Sequence, residues 1–387
     1  MNKLRLPLQL IGLMVVLSML TFAATEYVIV NNGNSISNSV TIYKLNEKTG
    51  ELTRTAVLDT GGQGQVDVPD FSQVEEAFTP DAGCIFVLDD GSSDIAAFSK
   101  ATGYRRVGSY FNSNLISNGF GGSLSLRPDG KFLYASYSVT GNIGAWEVRT
   151  DCKLVLLSTY ELGEVGQIAV APNGKDLVAS GQGIGASLFA IDKLTGNLTF
   201  VGDVAFRTGA CARGCYPAGV DITKDSKFAV FASIGEDARR QHPLPVAITT
   251  RITPQGLVST RIWNLKNSAG LFANYFPFFG ASAYTGLGAM YFAIQGQPGL
   301  NPGVLTANFN EHPLSIKLNS AVTIENGPED LDGNIAVTAN LIVIAQYPKQ
   351  ISVFRIKKSG SLTLLSTTTI DEQGEGLFSL SVFPNTR

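Results

Sequence analysis

Short apolar segments recur along the chain with turns between them. Segments 84–88 and 228–232 are almost wholly apolar, as expected for strands that are buried on both faces. Many follow a turn of Pro, then Asp or Asn, then Gly, as at 128–130, because Pro presets φ and Gly accepts a left-handed conformation. No stretch keeps a 3.6-residue apolar period. The pattern therefore predicts an all-β chain with almost no helix.

The turn and its flanking strands repeat seven times. Each unit has four strands and spans about fifty residues, which is typical of a propeller blade. The turns are assigned to 79–83, 127–131, 171–175, 223–227, a blurred copy at 272–284, 330–334 and 383–385.

The two ends of the chain complete one repeat. Segment 380–385 matches 124–129, but the strand that follows in the internal copy, 131–137, has its counterpart at 26–32. A blade shared between the ends leaves no unpaired edge strand in a closed ring. We therefore predict a seven-bladed β-propeller with four-stranded blades, whose N- and C-terminal strands share one blade. A β-solenoid also repeats, but its coils are shorter and need no such exchange.

Residues 1–24 have the features of a signal peptide: Lys3 and Arg5, an apolar stretch, then Ala23 and Ala24. An uncleaved membrane anchor is the alternative. Cleavage leaves a single propeller domain, 25–387, with no further membrane segment and a secreted or periplasmic location. Its 27 basic and 32 acidic side chains give a net charge of −5, without the basic footprint of a nucleic-acid-binding protein. We expect a monomer.

Four cysteines in an exported chain indicate disulfides. Cys211 and Cys215 are close enough in sequence to close a small loop. Cys84 and Cys152 stand alone, so a second bridge between adjacent blades stays open. A zinc site is the alternative for Cys211 and Cys215, although no second Cys or His pair has the spacing of zinc ligands. We expect no metal and no cofactor.

The repeats resemble those of the lactonase-family seven-bladed propellers, which include 6-phosphogluconolactonase and carboxymuconate-cyclising enzymes. The segments that carry this resemblance are 27–32, 40–43, 48–52 and 127–134. It implies the propeller fold and lactone hydrolysis, with a His five residues ahead of the turn proline and an Arg in a Pro-Arg-Gly segment. This chain has Glu75, Ser123, Gln167, Gly219 and Ser379 at the like positions, and Pro217-Ala218-Gly219 at the segment.

Long loops concentrate on one face of the predicted ring, at 31–39, 59–73, 111–122, 207–217, 235–245 and 295–303. Elaboration of one face indicates binding there. The segments near 207–216 and 235–243 supply candidates for binding an anion, namely Arg207, Arg213, Tyr216, Arg239 and Arg240, and His242 as a proton carrier. A solvated charged loop is the alternative.

Glu75 and Glu76 precede the second turn, near the predicted channel. Adjacent strand residues point to opposite sides, and register favours Glu75 as the acid–base group. Gln167 is a candidate ligand-binding residue at the like position of another repeat. Two functions follow: an exported enzyme that hydrolyses an anionic cyclic ester, or a non-catalytic propeller that binds a small molecule, glycan or protein at the loop face.

Overall fold

A computed structural model describes residues 26–64, 74–117, 121–163, 165–181, 185–212, 214–236, 244–264, 277–284, 289–294, 303–311, 314–324, 334–346, 350–370 and 379–383. The signal segment 1–24 lies outside them. In the described part the regular elements are strands, apart from two short 3₁₀ turns at Lys100–Thr102 and Gly209–Cys211. No helix there is long and apolar enough to cross a membrane. The all-β prediction is confirmed.

The described strands form seven four-stranded antiparallel sheets, the blades of a propeller. Blade 1 contains β1 (Glu26–Asn31), β2 (Ser39–Leu45), β3 (Leu52–Asp59) and β28 (Ser379–Phe383). Blade 2 contains β4 (Glu76–Phe78), β5 (Cys84–Asp89), β6 (Asp94–Ser99) and β7 (Arg105–Phe111). Blade 3 contains β8 (Gly122–Leu126), β9 (Phe132–Tyr137), β10 (Asn142–Val148) and β11 (Leu154–Glu161).

The other four blades follow in chain order. Blade 4 contains β12 (Ile168–Val170), β13 (Asp176–Gly181), β14 (Gly185–Ile191) and β15 (Leu198–Val204). Blade 5 contains β16 (Gly214–Ile222), β17 (Phe228–Glu236), β18 (Leu244–Thr253) and β19 (Gly256–Asn264). Blade 6 contains β20 (Pro277–Tyr284), β21 (Ala289–Ile294), β22 (Gly303–Glu311) and β23 (Leu314–Thr323). Blade 7 contains β24 (Ile335–Val337), β25 (Leu341–Gln346), β26 (Gln350–Ile356) and β27 (Leu362–Thr369).

The two ends of the chain close the ring inside blade 1. Strand β1 pairs antiparallel with β28, with Tyr27 opposite Phe383 and Asn31 opposite Ser379. On its other side β1 pairs with β2. The predicted exchange of strands between the ends is confirmed.

The hydrophobic core consists of layers between neighbouring blades. In β1, Val28 and Val30 join the cluster shared with blade 7, whereas Ile29 joins the cluster shared with blade 2. Successive strand residues point to opposite faces, and here each face is covered by another blade. This packing explains why segments such as Cys84–Asp89 are buried at every position.

Two of the seven predicted turns were assigned wrongly. Strand β20 covers residues that the blurred copy at 272–284 gave to a turn, and 272–276 lie outside the described residues. In blade 7 the turn is at 338–340, after β24, and not at 330–334. This turn has no proline; instead the Thr338 hydroxyl accepts a hydrogen bond from the Leu341 amide at 3.0 Å. The Pro-Asp-Gly pattern therefore could not locate it.

Two disulfides are present. Cys211–Cys215 confirms the predicted bridge and links the connection after β15 to the start of β16. Cys84–Cys152 joins the second strand of blade 2 to the turn between the outer strands of blade 3. The second bridge, left open by the sequence, therefore connects adjacent blades.

Candidate functional site

The candidate site lies on the face where the second and third strands of each blade connect and where one blade passes to the next. We call this the loop face. Asn31 and Asp89 end the second strands of blades 1 and 2, and Glu75 directly precedes the inner strand β4. These polar residues meet at the boundary between the two blades.

Glu75 and Glu76 both contact Asn31. The Asn31 side-chain amide donates to Glu75 Oε2 at 2.7 Å, and the Asn31 backbone amide donates to Glu76 Oε1 at 2.9 Å. The Ser379 hydroxyl also donates to Glu76 Oε1, while Ser379 Oγ accepts from the Glu75 amide at 3.3 Å. Both glutamates are 2% exposed. The pair therefore ties blade 2 to the blade that is built from both ends of the chain.

Asp89 and Asp90 lie close to the two glutamates, and we call these four carboxyls the acidic cluster. The Asn38 side-chain amide donates to Asp89 Oδ1 at 2.7 Å, and the Gly121 amide donates to Asp90 Oδ2 at 2.7 Å. Both aspartates are fully buried. Asp90 Oδ1 is buried with no hydrogen-bond donor in the described part of the chain. A buried carboxylate without full hydrogen bonding favours its neutral form.

Burial raises the pKa of every carboxyl in the acidic cluster. Loss of solvation raises the pKa of Glu76 to about 7, although hydrogen bonds from Ser379 and Asn31 oppose this shift. Burial, with repulsion from Asp90 second, raises the pKa of Glu75 well above its ordinary value. The pKa of Asp89 rises to about 8 and that of Asp90 to about 6, mainly through burial. Each of these carboxyls therefore holds its proton to a higher pH than an exposed carboxyl does.

The inner strands are linked around the ring by side chains at the positions where the resemblance implied a catalytic histidine. Ser123 Oγ accepts from the Ile168 amide of the next blade at 3.3 Å. Gln167 Oε1 accepts from the Val220 amide of the following blade at 2.9 Å. Ser379 makes the same contact to the Glu75 amide, as described above. Gln167 is a candidate ligand-binding residue, but its side-chain oxygen is hydrogen-bonded to blade 5.

Arg207 and Tyr216 are the candidate anion-binding residues that belong to the described part of the chain. Arg207 is exposed in the connection between blades 4 and 5. Gly214, the first residue of β16, pairs with Glu236, the last residue of β17. The connection that ends at Gly214 and the connection that begins after Glu236 therefore meet blade 5 at neighbouring residues. Tyr216 is in β16. Arg213, Arg239, Arg240 and His242 lie outside the described residues. Glu75 begins blade 2, so the ring order places it away from Arg207, which lies between blades 4 and 5.

Sequence reasoning missed Asn31, Asp89 and Asp90 as partners of the glutamates. A signal was present, because Asp89 ends a wholly buried strand, Asp90 directly follows it, and Asn31 ends strand β1. Among the described residues, no three His, Cys, Asp or Glu side chains form a group that could hold a metal ion.

Solved structures share this fold. A candidate 6-phosphogluconolactonase of Bacteroides fragilis aligns with a TM-score of 0.66 and 16% identity over 94% of this chain and 99% of that chain. A candidate 6-phosphogluconolactonase of Bacteroides uniformis gives 0.67 and 11% identity over 92% and 99%. The periplasmic gluconolactonase PpgL of Pseudomonas aeruginosa gives 0.64 and 15% over 92% and 99%. No protein-family model and no curated protein matches the chain. The chain thus has the fold of the lactonase-like seven-bladed propellers.

Proposed function

We propose that the protein is an exported lactonase-like propeller that binds an anionic cyclic ester, or the hydroxy acid formed when the ring opens, at the loop face of blade 5. The pairing of Gly214 with Glu236 supports this most directly. It brings together the ends of the two segments that carry the arginines. The Cys211–Cys215 disulfide closes one of these segments and restricts its conformations.

The arginines set the charge of the ligand. Arg207 is exposed, and Arg213, Arg239 and Arg240 are close in sequence to the paired residues. A guanidinium group binds a carboxylate or a phosphate with two parallel hydrogen bonds. Because the mature chain has a net charge of −5, attraction of an anion has to come from local cations such as these.

The side chains at the inner strands favour binding over hydrolysis. Glu75 is 2% exposed and accepts a hydrogen bond from Asn31, and Gln167 is engaged with the next blade. The inner-strand histidine implied by the family resemblance is absent. A group that attacks an ester, or activates water for that attack, has to reach the substrate.

Hydrolysis is the second candidate function, favoured by one observation. The pKa of Glu76 is raised to about 7 by burial, and that of neighbouring Glu75 is raised as well. A carboxyl of this kind can take a proton from an attacking water and return it to the ring oxygen as the ester opens. In this case Glu75 is the acid–base group, and His242 is the other candidate.

Export is supported by the segment 1–24 and by the two disulfides, which persist in oxidising compartments. We place the mature domain in the periplasm or outside the cell as a monomer. Separation of the cell fractions, followed by N-terminal sequencing of the recovered protein, tests this location. Full-length protein that remains in the membrane fraction would indicate an uncleaved anchor.

Calorimetric titration of the mature protein tests the ligand. Glucono-1,5-lactone, gluconate and 6-phosphogluconate serve as probes, and we expect the phosphorylated acid to bind more tightly than gluconate. The triple variant Arg207→Ala, Arg239→Ala, Arg240→Ala should lose about tenfold or more in affinity for it. Lys357→Ala with Lys358→Ala is the matched control, because these lysines lie in a turn on the opposite face. Unchanged affinity in the triple variant would contradict the proposal.

A pH-stat assay on 6-phosphoglucono-1,5-lactone, the anionic cyclic ester of the phosphorylated acid, separates the two candidates. Hydrolysis that falls in Glu75→Gln or His242→Ala supports the enzyme. No hydrolysis by the parent, together with saturable binding, supports the binding function.

A further inference from the structure

Three buried polar side chains at the boundary between blades 2 and 3 have oxygens without a hydrogen-bond partner. They are Asp90, which directly follows β5, Ser117 in the connection between the two blades, and Tyr137, the last residue of β9. All three residues are 0% exposed. Asp90 Oδ1, Ser117 Oγ and the Tyr137 hydroxyl have no hydrogen-bond partner in the described part of the chain. An unsatisfied buried oxygen costs free energy, so three of them at one boundary call for a shared partner.

Asp90 and Ser117 meet beside the start of β8. The Gly121 amide donates to Asp90 Oδ2 at 2.7 Å, which leaves Oδ1 as the unsatisfied oxygen. A Cβ atom built on the next residue, Gly122, would lie 3.0 Å from Ser117 Oγ. Ser117 is close enough to Asp90 to oppose the rise of the pKa of Asp90, although Ser117 Oγ makes no hydrogen bond of regular geometry there. The two oxygens are therefore neighbours that do not satisfy each other.

The Tyr137 ring approaches the same place from β9. Tyr137 pairs with Gly122, and residues directly opposite each other in an antiparallel pair project to the same face of the sheet. On that face Tyr137 joins Leu88 of β5 in the apolar cluster between blades 2 and 3, and Leu88 is two residues ahead of Asp90. Repulsion from Asp94 and Asp90 adds to burial in raising the pKa of Tyr137. The hydroxyl therefore lies near these carboxyls.

The charge of Asp90 has no cationic partner in the described part of the chain. Burial raises the pKa of Asp90 to about 6, and no Lys, Arg or His side chain opposes this rise. The nearby Asp94 carboxylate adds negative charge, although it accepts hydrogen bonds from the Ser92 and Ser109 hydroxyls. A water molecule satisfies hydrogen bonds but leaves such a charge uncompensated, whereas buried charges in proteins are paired or coordinate metals.

We propose that Asp90 Oδ1, Ser117 Oγ and the Tyr137 hydroxyl oxygen bind a sodium ion. Carboxylate and hydroxyl oxygens are hard ligands, which suit a hard cation better than zinc or copper. A single carboxylate balances one positive charge, whereas calcium takes about six to eight oxygens in flexible geometry and magnesium demands an octahedron. The site thus differs from a group of three or more His, Cys, Asp or Glu ligands, which the described residues lack.

The ion joins blade 2 to blade 3, because Asp90 and Tyr137 belong to neighbouring blades. It lies on the loop face, since Asp90 is in the connection between the second and third strands of blade 2. The site contains none of the arginines proposed to bind an anion at blade 5. It therefore does not rest on that function.

Thermal unfolding of the mature protein in sodium chloride and in choline chloride tests the proposal. Both salts are used at about 0.2 M, because equal ionic strength screens the protein charges equally. The measurement is made at about pH 8, where Asp90 with its pKa of about 6 is ionised. We expect a melting temperature about 2 °C higher in sodium, as for an ion present at about ten times its Kd.

Tyr137→Phe distinguishes an ion from a water molecule. In choline this variant should be at least as stable as the parent, because it lacks an unsatisfied buried hydroxyl. It should also lose the rise in melting temperature with sodium. Tyr134→Phe is the matched control on the same strand, since the Tyr134 hydroxyl donates to the Gly196 carbonyl at 2.8 Å. The control should lose the same stability in both salts and keep the full rise with sodium.

Sodium-23 NMR line widths measure binding without unfolding the protein. The parent should broaden the sodium signal, and Asp90→Asn should abolish this broadening because the charge that holds the ion is gone. Ser117→Ala should reduce it, and this smaller substitution keeps the test valid if Asp90→Asn does not fold. Asp151→Asn removes an exposed carboxylate and should leave the broadening unchanged.

Four results would overturn the proposal. Equal melting temperatures of the parent in the two salts, or a full rise with sodium in Tyr137→Phe, would remove the ion from this site. Equal destabilisation of Tyr137→Phe in both salts would assign the hydroxyl to a bound water molecule. A rise produced by calcium and not by sodium would show that the site is divalent.

Discussion

The Tyr27 ring stacks on the Phe383 ring with an interplanar angle of 19°, so the first and last strands of the propeller are joined by a side-chain contact as well as by backbone pairing. Phe383 is 3% exposed and also lies against Phe78 of blade 2, with ring centroids 5.2 Å apart. Phe383 therefore adds side-chain contacts with blades 1 and 2 to the backbone pairing that closes the ring.

Phe383→Ala should destabilise the whole domain. Removal of a buried phenylalanine costs about 3–5 kcal/mol, through lost burial and the cavity that remains. Urea unfolding followed by tryptophan fluorescence measures the loss. Leu194→Ala is the control, since Leu194 is 87% exposed and its truncation should leave the unfolding midpoint unchanged. A loss below about 1 kcal/mol in Phe383→Ala would contradict the importance of this contact for closure.

The acidic cluster predicts that stability falls as the pH rises. Glu76 has an ordinary pKa of 4.5 in the unfolded chain and about 7 in the fold, because burial disfavours its charge. Its neutral form therefore stabilises the fold fully below about pH 4.5, and this stabilisation is lost as the pH rises through about 7. A shift of this size corresponds to about 3 kcal/mol. Glu75, Asp89 and Asp90 shift in the same direction.

Glu76→Gln isolates this effect, because glutamine stays neutral. Urea unfolding from about pH 5 to about pH 8 should show a smaller loss of stability in Glu76→Gln than in the parent. The exposed substitution Glu51→Gln should follow the parent curve. Parallel curves for the parent and Glu76→Gln would mean that Glu76 does not titrate in this range.

Much of the fold was predictable from local patterns. Turns such as 127–131, which combine Pro, Asp and Gly, located the hairpins and hence the order of the strands. The matching segments at the two ends of the chain predicted the closure of the ring. The turn at Thr338 escaped because Thr338-Ala339-Asn340 contains no proline, aspartate or glycine. The site was less predictable, because Asn31 and Glu75 come from different repeats and meet only when blades pack. Glu75 also precedes β4, so strand alternation does not separate its carboxyl from that of Glu76.

Cys152 has a left-handed backbone, with φ of 65°, at the turn position where blades 1, 2, 4 and 7 have glycine. The disulfide to Cys84 offsets this strain by linking two blades. Cys84→Ala with Cys152→Ser should lose about 2–4 kcal/mol of stability. Cys84→Ala with Cys152→Gly should be more stable than the serine variant by about 1 kcal/mol, because glycine adopts this φ without strain. Differential scanning calorimetry of both variants measures this difference, and a more stable serine variant would refute it.

Alanine substitutions at Gly50 and Gly103 distinguish the cost of backbone strain from the cost of a clash between blades. Both have a left-handed φ, 77° and 73°, so alanine strains the backbone equally at each, by about 1 kcal/mol. At Gly50 the added Cβ would also lie 2.7 Å from Leu365 Cβ of blade 7, whereas at Gly103 it meets nothing. Gly50→Ala should therefore cost about 1–3 kcal/mol more than Gly103→Ala, since blade 7 has to move. Urea midpoints of the two variants give the comparison. Equal midpoints would mean that the boundary between blades 7 and 1 yields without cost.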